Sequence, residues 1–151
     1  MVRIVVGVDG STPSREALRW ALSEARLRGA SIRVVYAWKI PIYVANGLAP
    51  VAIPDPDALR DTARERLDSI VSEVAGGTTD VRIEQIAVEG AAAEILVEES
   101  KGANLLVIGS RGHGGFAGLL LGSVSQQCAS HASCPVVIIR GPAASGASHR
   151  S

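Results

Sequence analysis

The densest chemistry in the chain lies between Gly109 and Ser125. Gly109-Ser110-Arg111-Gly112-His113-Gly114-Gly115-Phe116-Ala117-Gly118 is followed by Leu119-Leu120-Leu121-Gly122-Ser123-Val124-Ser125. Six glycines fall in the fourteen residues 109–122. Glycine lets backbone amides approach an anion closely. The segment leaves an apolar run, Leu105-Leu106-Val107-Ile108, and enters a helical pattern. A helix N-terminus adds unpaired N–H groups and a partial positive charge. Arg111 supplies a cation, and Ser110, Ser123 and Ser125 supply hydroxyls. The combination describes a phosphate cradle. It is not a P-loop, because G-x-x-x-x-G-K-[ST] occurs nowhere in the chain. Residues 112–117 satisfy the loose G-x-G-x-x-G/A form, but no acidic residue follows them to hold a dinucleotide ribose.

The second chemical position is Asp9, at the end of Val5-Val6-Gly7-Val8. Its carboxylate could hold a ribose hydroxyl, an amino group or a metal ion. It could equally cap the helix that follows.

Both positions need a scaffold, and the chain alternates two periodicities to provide one. β-Strands are expected over residues 2–8, 31–38, 80–88, 103–109 and 135–140, where β-branched and apolar residues run almost continuously. Helices are expected between them. Ala17, Leu18, Ala21, Leu22 and Ala25 carry the first, capped by Ser11 or Thr12 and stopped by Gly29. Leu59, Ala63, Leu67, Ile70, Val71 and Val74 carry the second, closed by Gly76-Gly77. Residues 91–100 carry the third, and a stretch from about Leu119 or Gly122 to His131 carries the fourth. Strands alternating with helices imply one α/β domain: a doubly wound, five-stranded parallel sheet with helices on both faces. In the order 3-2-1-4-5, strands one and four are neighbours whose connections leave to opposite faces. Asp9 and the glycine segment then face each other across the crevice where such sheets bind ligands.

Two segments interrupt the rhythm. Residues 39–56 contain four prolines and form a long connection at the ligand-binding end of the sheet. Residues 141–151, rich in Ala, Ser and Gly, read as a disordered tail after a domain spanning 1–140.

Composition narrows the function classes. The 151 residues suit one domain, and 47% are hydrophobic. Fifteen basic residues balance fifteen acidic ones, which argues against nucleic-acid binding by bulk charge. The balance is uneven along the chain. Residues 1–100 carry eleven basic and fifteen acidic side chains, and residues 101–151 carry four basic and none acidic. An acid-free C-terminal third suits an anionic ligand. No apolar run approaches the ~20 residues of a membrane helix, and no signal peptide is evident, so a cytoplasmic location is expected. Cys128 and Cys134 fit no metal pattern and read as small buried side chains. Tyr36 and Trp38, at the end of the second strand, could flank a bound base, with one of the two expected in the core. The charged positions Arg60, Asp61, Arg64, Glu65, Arg66 and Asp68 read as a solvated helical face.

Gly109-x2-Gly112-x9-Gly122-Ser123 resembles the ATP-binding signature of the universal stress protein family. Val5-Val6-Gly7-Val8-Asp9-Gly10-Ser11 and the stretch from Gly122-Ser123-Val124-Ser125 to His131-Ala132-Ser133-Cys134-Pro135-Val136 resemble it too. The resemblance implies a fold of the adenine nucleotide alpha-hydrolase-like type. It implies ATP, with or without Mg²⁺, as a regulatory or sensing ligand. On matching positions, Gly7, Val8 and Asp9 would meet the adenosine end, and Ala37 would offer backbone groups to adenine. Gly109, Arg111, Gly112, Gly122, Ser123, Val124 and Ser125 would hold ribose and phosphates, beside Ser110. Asn104 stands where the family more usually has Asp. The resemblance also implies a homodimer formed through the last strand, Val136-Val137-Ile138-Ile139. A slow ATPase or nucleotidyl-transferring enzyme is the alternative, though no general base or carboxylate pair accompanies the glycine segment. A nucleotide-free interaction module is the third possibility.

Overall fold

A computed structural model describes residues 2–40, 55–78, 80–111 and 121–141. Five strands and four helices alternate: β1 (Arg3–Val8), α1 (Thr12–Arg28), β2 (Ser31–Trp38), α2 (Pro56–Ala75), β3 (Ile83–Glu89), α3 (Ala92–Ser100), β4 (Leu105–Gly109), α4 (Ser123–His131) and β5 (Val136–Ile139). The strands form one parallel sheet in the order β3-β2-β1-β4-β5. The expected doubly wound architecture is therefore the one observed.

The side-chain alternation of β1 assigns the two faces. Ile4, Val6 and Val8 pack under α1 and α2, together with Ile32 and Val34 of β2 and Val107 of β4. Val5 packs on the opposite face with Val35, Leu106 and Ile108, beneath Leu96 of α3 and Cys128 of α4. Central strands buried on both faces must be apolar on both, which explains the unbroken hydrophobic runs. Gly7 is the exception within β1. A Cβ there would stand 2.7 Å from Leu96 Cδ1, so its absence lets α3 approach the sheet.

Local chemistry sets the helix ends. Ser11 caps α1: its side chain accepts from the Ser14 N–H, and Pro13 occupies the first turn. Gly29 ends α1 in the left-handed conformation at φ 64°. Asp55 caps α2 by accepting from the Asp57 N–H. The helix thus starts at Pro56, inside the segment expected to be loop.

Two strands begin later than the hydrophobic pattern suggests. β3 starts at Ile83, although Val81 is already buried in the core. β4 starts at Leu105, because Asn104 ties the strand entry to β1. Its side-chain oxygen accepts from the Arg3 N–H at 2.9 Å, and its own N–H donates to the Arg3 carbonyl at 2.9 Å. This lies at the N-terminal end of the sheet, opposite the crevice. Cys128 and Cys134 are unpaired thiols packed on the α3–α4 face. Burial pushes the Cys128 thiol up to about 11 and raises that of Cys134 as well. A buried neutral thiol behaves as a small apolar group. Among the described residues, no helix is long and apolar enough to cross a membrane.

Candidate functional site

The C-terminal ends of β1 and β4 lie side by side, and the turns that leave them are built for close approach. After Val8 the chain enters the Asp9-Gly10-Ser11 turn, where Gly10 takes φ 86°. Asp9 Oδ1 accepts from the Ser11 N–H at 2.9 Å, and the Asp9 N–H donates to Ser14 Oγ at 3.2 Å. The Ser14 hydroxyl in turn donates to the Ser11 carbonyl at 3.0 Å. Asp9 is thus fastened to the first turn of α1, and its side chain shapes that turn.

β4 meets the same turn from the other side. A Cβ on Gly109 would stand 2.8 Å from the Pro13 carbonyl carbon and 3.0 Å from the Ser14 nitrogen. Only glycine permits this contact between a strand end and a helix N-terminus. The next residues knit β4, β5 and α4 together. The Ser110 N–H donates to the Ile139 carbonyl at 2.7 Å, and the Gly122 N–H donates to the Ser110 carbonyl at 2.8 Å. The Ser125 hydroxyl lies 2.8 Å from the Gly109 carbonyl oxygen and 2.9 Å from that of Ser110. Ser110 and Ser125 are therefore buried hydroxyl residues bracing the junction.

Gly122 is the N-cap residue of α4, and among the described residues no side chain caps it. Its carbonyl accepts from the Gln126 N–H, which begins the helical ladder. The N–H groups of Ser123, Val124 and Ser125 precede that bond and have no intrahelical partner. Ser123 is exposed, and Val124 is half-buried against the α3–α4 core. A helix N-terminus without a side-chain cap, next to the close-packed Gly109, is a donor set suited to an anion.

The structure brings Gly7, Val8, Asp9, Gly109, Ser110, Arg111, Gly122, Ser123, Val124 and Ser125 to one end of the sheet. Val8 is in register with Tyr36, which puts Ala37 level with Asp9. Gly112, His113, most of the 39–56 segment and residues 142–151 lie outside the described residues. Among the described residues, no group of three His, Cys, Asp or Glu side chains is placed to hold a metal ion.

A cleft of ≈530 Å³ opens beside the Asp9 turn, on the α1–α2 side. Asp9, Gly10 and Arg15 form one rim, and Tyr36 and Ile70 contribute apolar surface. Thr62, Glu65, Arg66 and Ser69 of α2 form the facing wall. Arg15 joins the two sides. Its guanidinium donates to the Gly10 carbonyl, and its Nε lies 3.0 Å from Glu73 Oε2 of α2. Tyr36 lines this cleft. The Trp38 indole N–H is buried and has no hydrogen-bond partner among the described residues. Sequence reasoning missed Arg15 and the α2 wall. Glu65 and Arg66 are exposed, as a solvated face should be, and their spacing alone does not tell that a cleft lies in front of them.

Comparison with known proteins agrees with this architecture. The profile described as "Universal stress protein family" matches residues 1–140. A universal stress protein of Mycobacterium tuberculosis is 38% identical over 142 residues, covering 90% of this chain and 46% of that protein. One from Mycolicibacterium smegmatis is 34% identical over 137 residues, covering 91% and 45%. The chain thus spans about half the length of the curated relatives it matches. Among solved structures, a universal stress protein in complex with cAMP is 29% identical with a TM-score of 0.64, covering 93% of this chain and 98% of that one. The universal stress protein from Archaeoglobus fulgidus in complex with dAMP is 26% identical with a TM-score of 0.63, covering 92% and 98%. A profile that takes in all five strands, and relatives that match nine-tenths of the sequence, place the chain in the universal stress protein family.

Proposed function

We propose that this protein binds an adenine nucleotide, ATP foremost, at the junction of β1, β4 and α4, and acts as a nucleotide-responsive regulatory protein of the cytoplasm. The observation that carries the reading is the uncapped N-terminus of α4, held against Gly109 and Ser110 by Ser125 and Gly122. Backbone N–H groups at Ser123, Val124 and Ser125 take the phosphates, helped by the helix dipole and by Arg111. Gly112 belongs to the same phosphate-holding segment. Gly7, Val8, Asp9 and Ala37 border the nucleoside end. Were Mg²⁺ to accompany the phosphates, Asp9 at the end of β1 would be the candidate carboxylate to hold it. Structural relatives holding cAMP and dAMP support an adenine base with a phosphate group as the ligand class. Two copies associate through β5, so that nucleotide state is read at a dimer surface.

The test is direct. Nucleotide released from freshly purified protein by denaturation is identified by mass spectrometry, and emptied protein is titrated with ATP, ADP, AMP and cAMP. Near-stoichiometric ATP, or tight binding on titration, is expected. Replacing Gly122 by Val should abolish it by filling the phosphate cradle. No released nucleotide and no binding on titration would overturn the reading.

A further inference from the structure

We infer that α2 is the base-reading wall of the nucleotide site, with Glu65 and Arg66 as its specificity-determining residues and Arg15 as the residue that positions it. The inference rests on the nucleotide reading above and adds what that reading leaves open: which side chains choose the base.

The cleft beside Asp9 has two unlike surfaces. Tyr36 and Ile70 give it an aromatic and an aliphatic patch, which suits the flat face of a heterocycle. The α2 side is polar. Thr62 and Arg66 are one helical turn apart, as are Glu65 and Ser69, so both pairs project along the same wall. A carboxylate accepts hydrogen bonds, a guanidinium donates them, and hydroxyls do both. That is the complement needed to read the edge of a purine. Glu65 favours an exocyclic amine, as on adenine, over the carbonyl that inosine carries in its place. The α4 N-terminus, by contrast, offers backbone donors that read only phosphate.

The wall is held at a set distance. Arg15 contacts the Gly10 carbonyl in the turn after Asp9 and pairs with Glu73, which lies one turn beyond Ser69 on α2. One guanidinium therefore ties the rim of the cleft to its opposite wall. Ionic groups at this pair are partly exposed, with side chains 28% and 55% accessible, so the tie serves spacing more than stability.

The experiment titrates wild-type protein and the variants Glu65→Gln, Arg66→Gln and Glu73→Gln with ATP, ITP and inorganic tripolyphosphate. Circular dichroism checks that each variant is folded. Wild type should prefer ATP to ITP. Glu65→Gln and Arg66→Gln should each lower ATP affinity about tenfold, the worth of one good hydrogen bond, and Glu65→Gln should also bring ATP and ITP together. Glu73→Gln should weaken ATP about threefold, a loss of part of such a bond. Tripolyphosphate binding should stay at the wild-type level in all three. Wild-type affinities for ATP and ITP in the α2 variants would overturn the inference and leave nucleotide binding standing. Parallel losses of ATP and tripolyphosphate would also overturn it, by showing that the wall holds phosphate. Wild type that binds no nucleotide would remove the underlying reading as well.

Discussion

Gly109 and Gly7 show how differently two glycines can matter. At Gly7 an added methyl meets the end of the Leu96 side chain, which can rotate away. At Gly109 it meets the Pro13 and Ser14 backbone at 2.8–3.0 Å, and nothing there can rotate. The first turn of α1 must move instead, and Ser14 takes its hydrogen bond to the Asp9 N–H with it. Gly109→Ala should therefore cost ~1–3 kcal/mol in urea unfolding, the range of overpacked cores, and more than Gly7→Ala. It should also weaken nucleotide binding beyond what the lost stability accounts for. Cys128 gives a second prediction. Its thiol titrates near 11 in the fold against 9.0 when exposed. The fold favours the protonated form, so the associated stability is complete below pH 9 and is lost as pH rises from 9 to 11. The ceiling is about 2–3 kcal/mol for two pH units. Urea melts across that range should fall more steeply for wild type than for Cys128→Ala, whose loss of packing does not depend on pH.

Among the secondary-structure elements, the legible parts were those whose cause is local. Ser11, Pro13 and Gly29 mark both ends of α1 in the sequence, and the helix begins and ends where they stand. β2 runs from Ser31 to Trp38 as its β-branched pattern predicts. Where the ends depend on a distant partner, the sequence pattern overshoots. Val81 is apolar and buried, yet β3 starts only at Ile83, level with Ile32 of β2. Ala103 and Asn104 look like the start of β4, but Asn104 spends its polar groups on Arg3. α2 is the clearest case. Its buried stripe, Ala63, Leu67, Ile70 and Val71, is plain from spacing, and so is its charged outer face. That Thr62, Glu65, Arg66 and Ser69 look across at Asp9 and Tyr36 is set by how α2 packs on the sheet. No local pattern encodes that angle. Gly109 was legible in another way: the Pro13 and Ser14 backbone stands where a Cβ would go, so the position admits only glycine, a residue conspicuous in the sequence.

At the scale of the whole molecule, the sheet has two edges among the described residues, β3 and β5, and they are not equivalent. β3 carries the exposed side chains Glu84, Gln85 and Glu89, charged or polar groups that discourage strand pairing. β5 is Val-Val-Ile-Ile, and all four residues are only partly covered. The hydrogen-bond pattern tells how to test pairing at β5 without disturbing the sheet. The Pro135 and Ile139 carbonyls accept from Leu106 and Ser110 of the β4 side. In a parallel strand alternate residues use alternate edges, so the backbone groups of Val136 and Ile138 point outward. Val136→Pro removes one outward N–H and keeps the Pro135 carbonyl bond to β4, since a residue before proline prefers the extended conformation it already holds. Wild type should sediment as a dimer and Val136→Pro as a monomer, with circular dichroism unchanged. Because Ser110 donates to Ile139 at the end of the same strand, the monomer should also bind ATP more weakly, by a fewfold. A wild-type protein that sediments as a monomer at tens of micromolar would remove the dimer from the proposal and leave the nucleotide site intact.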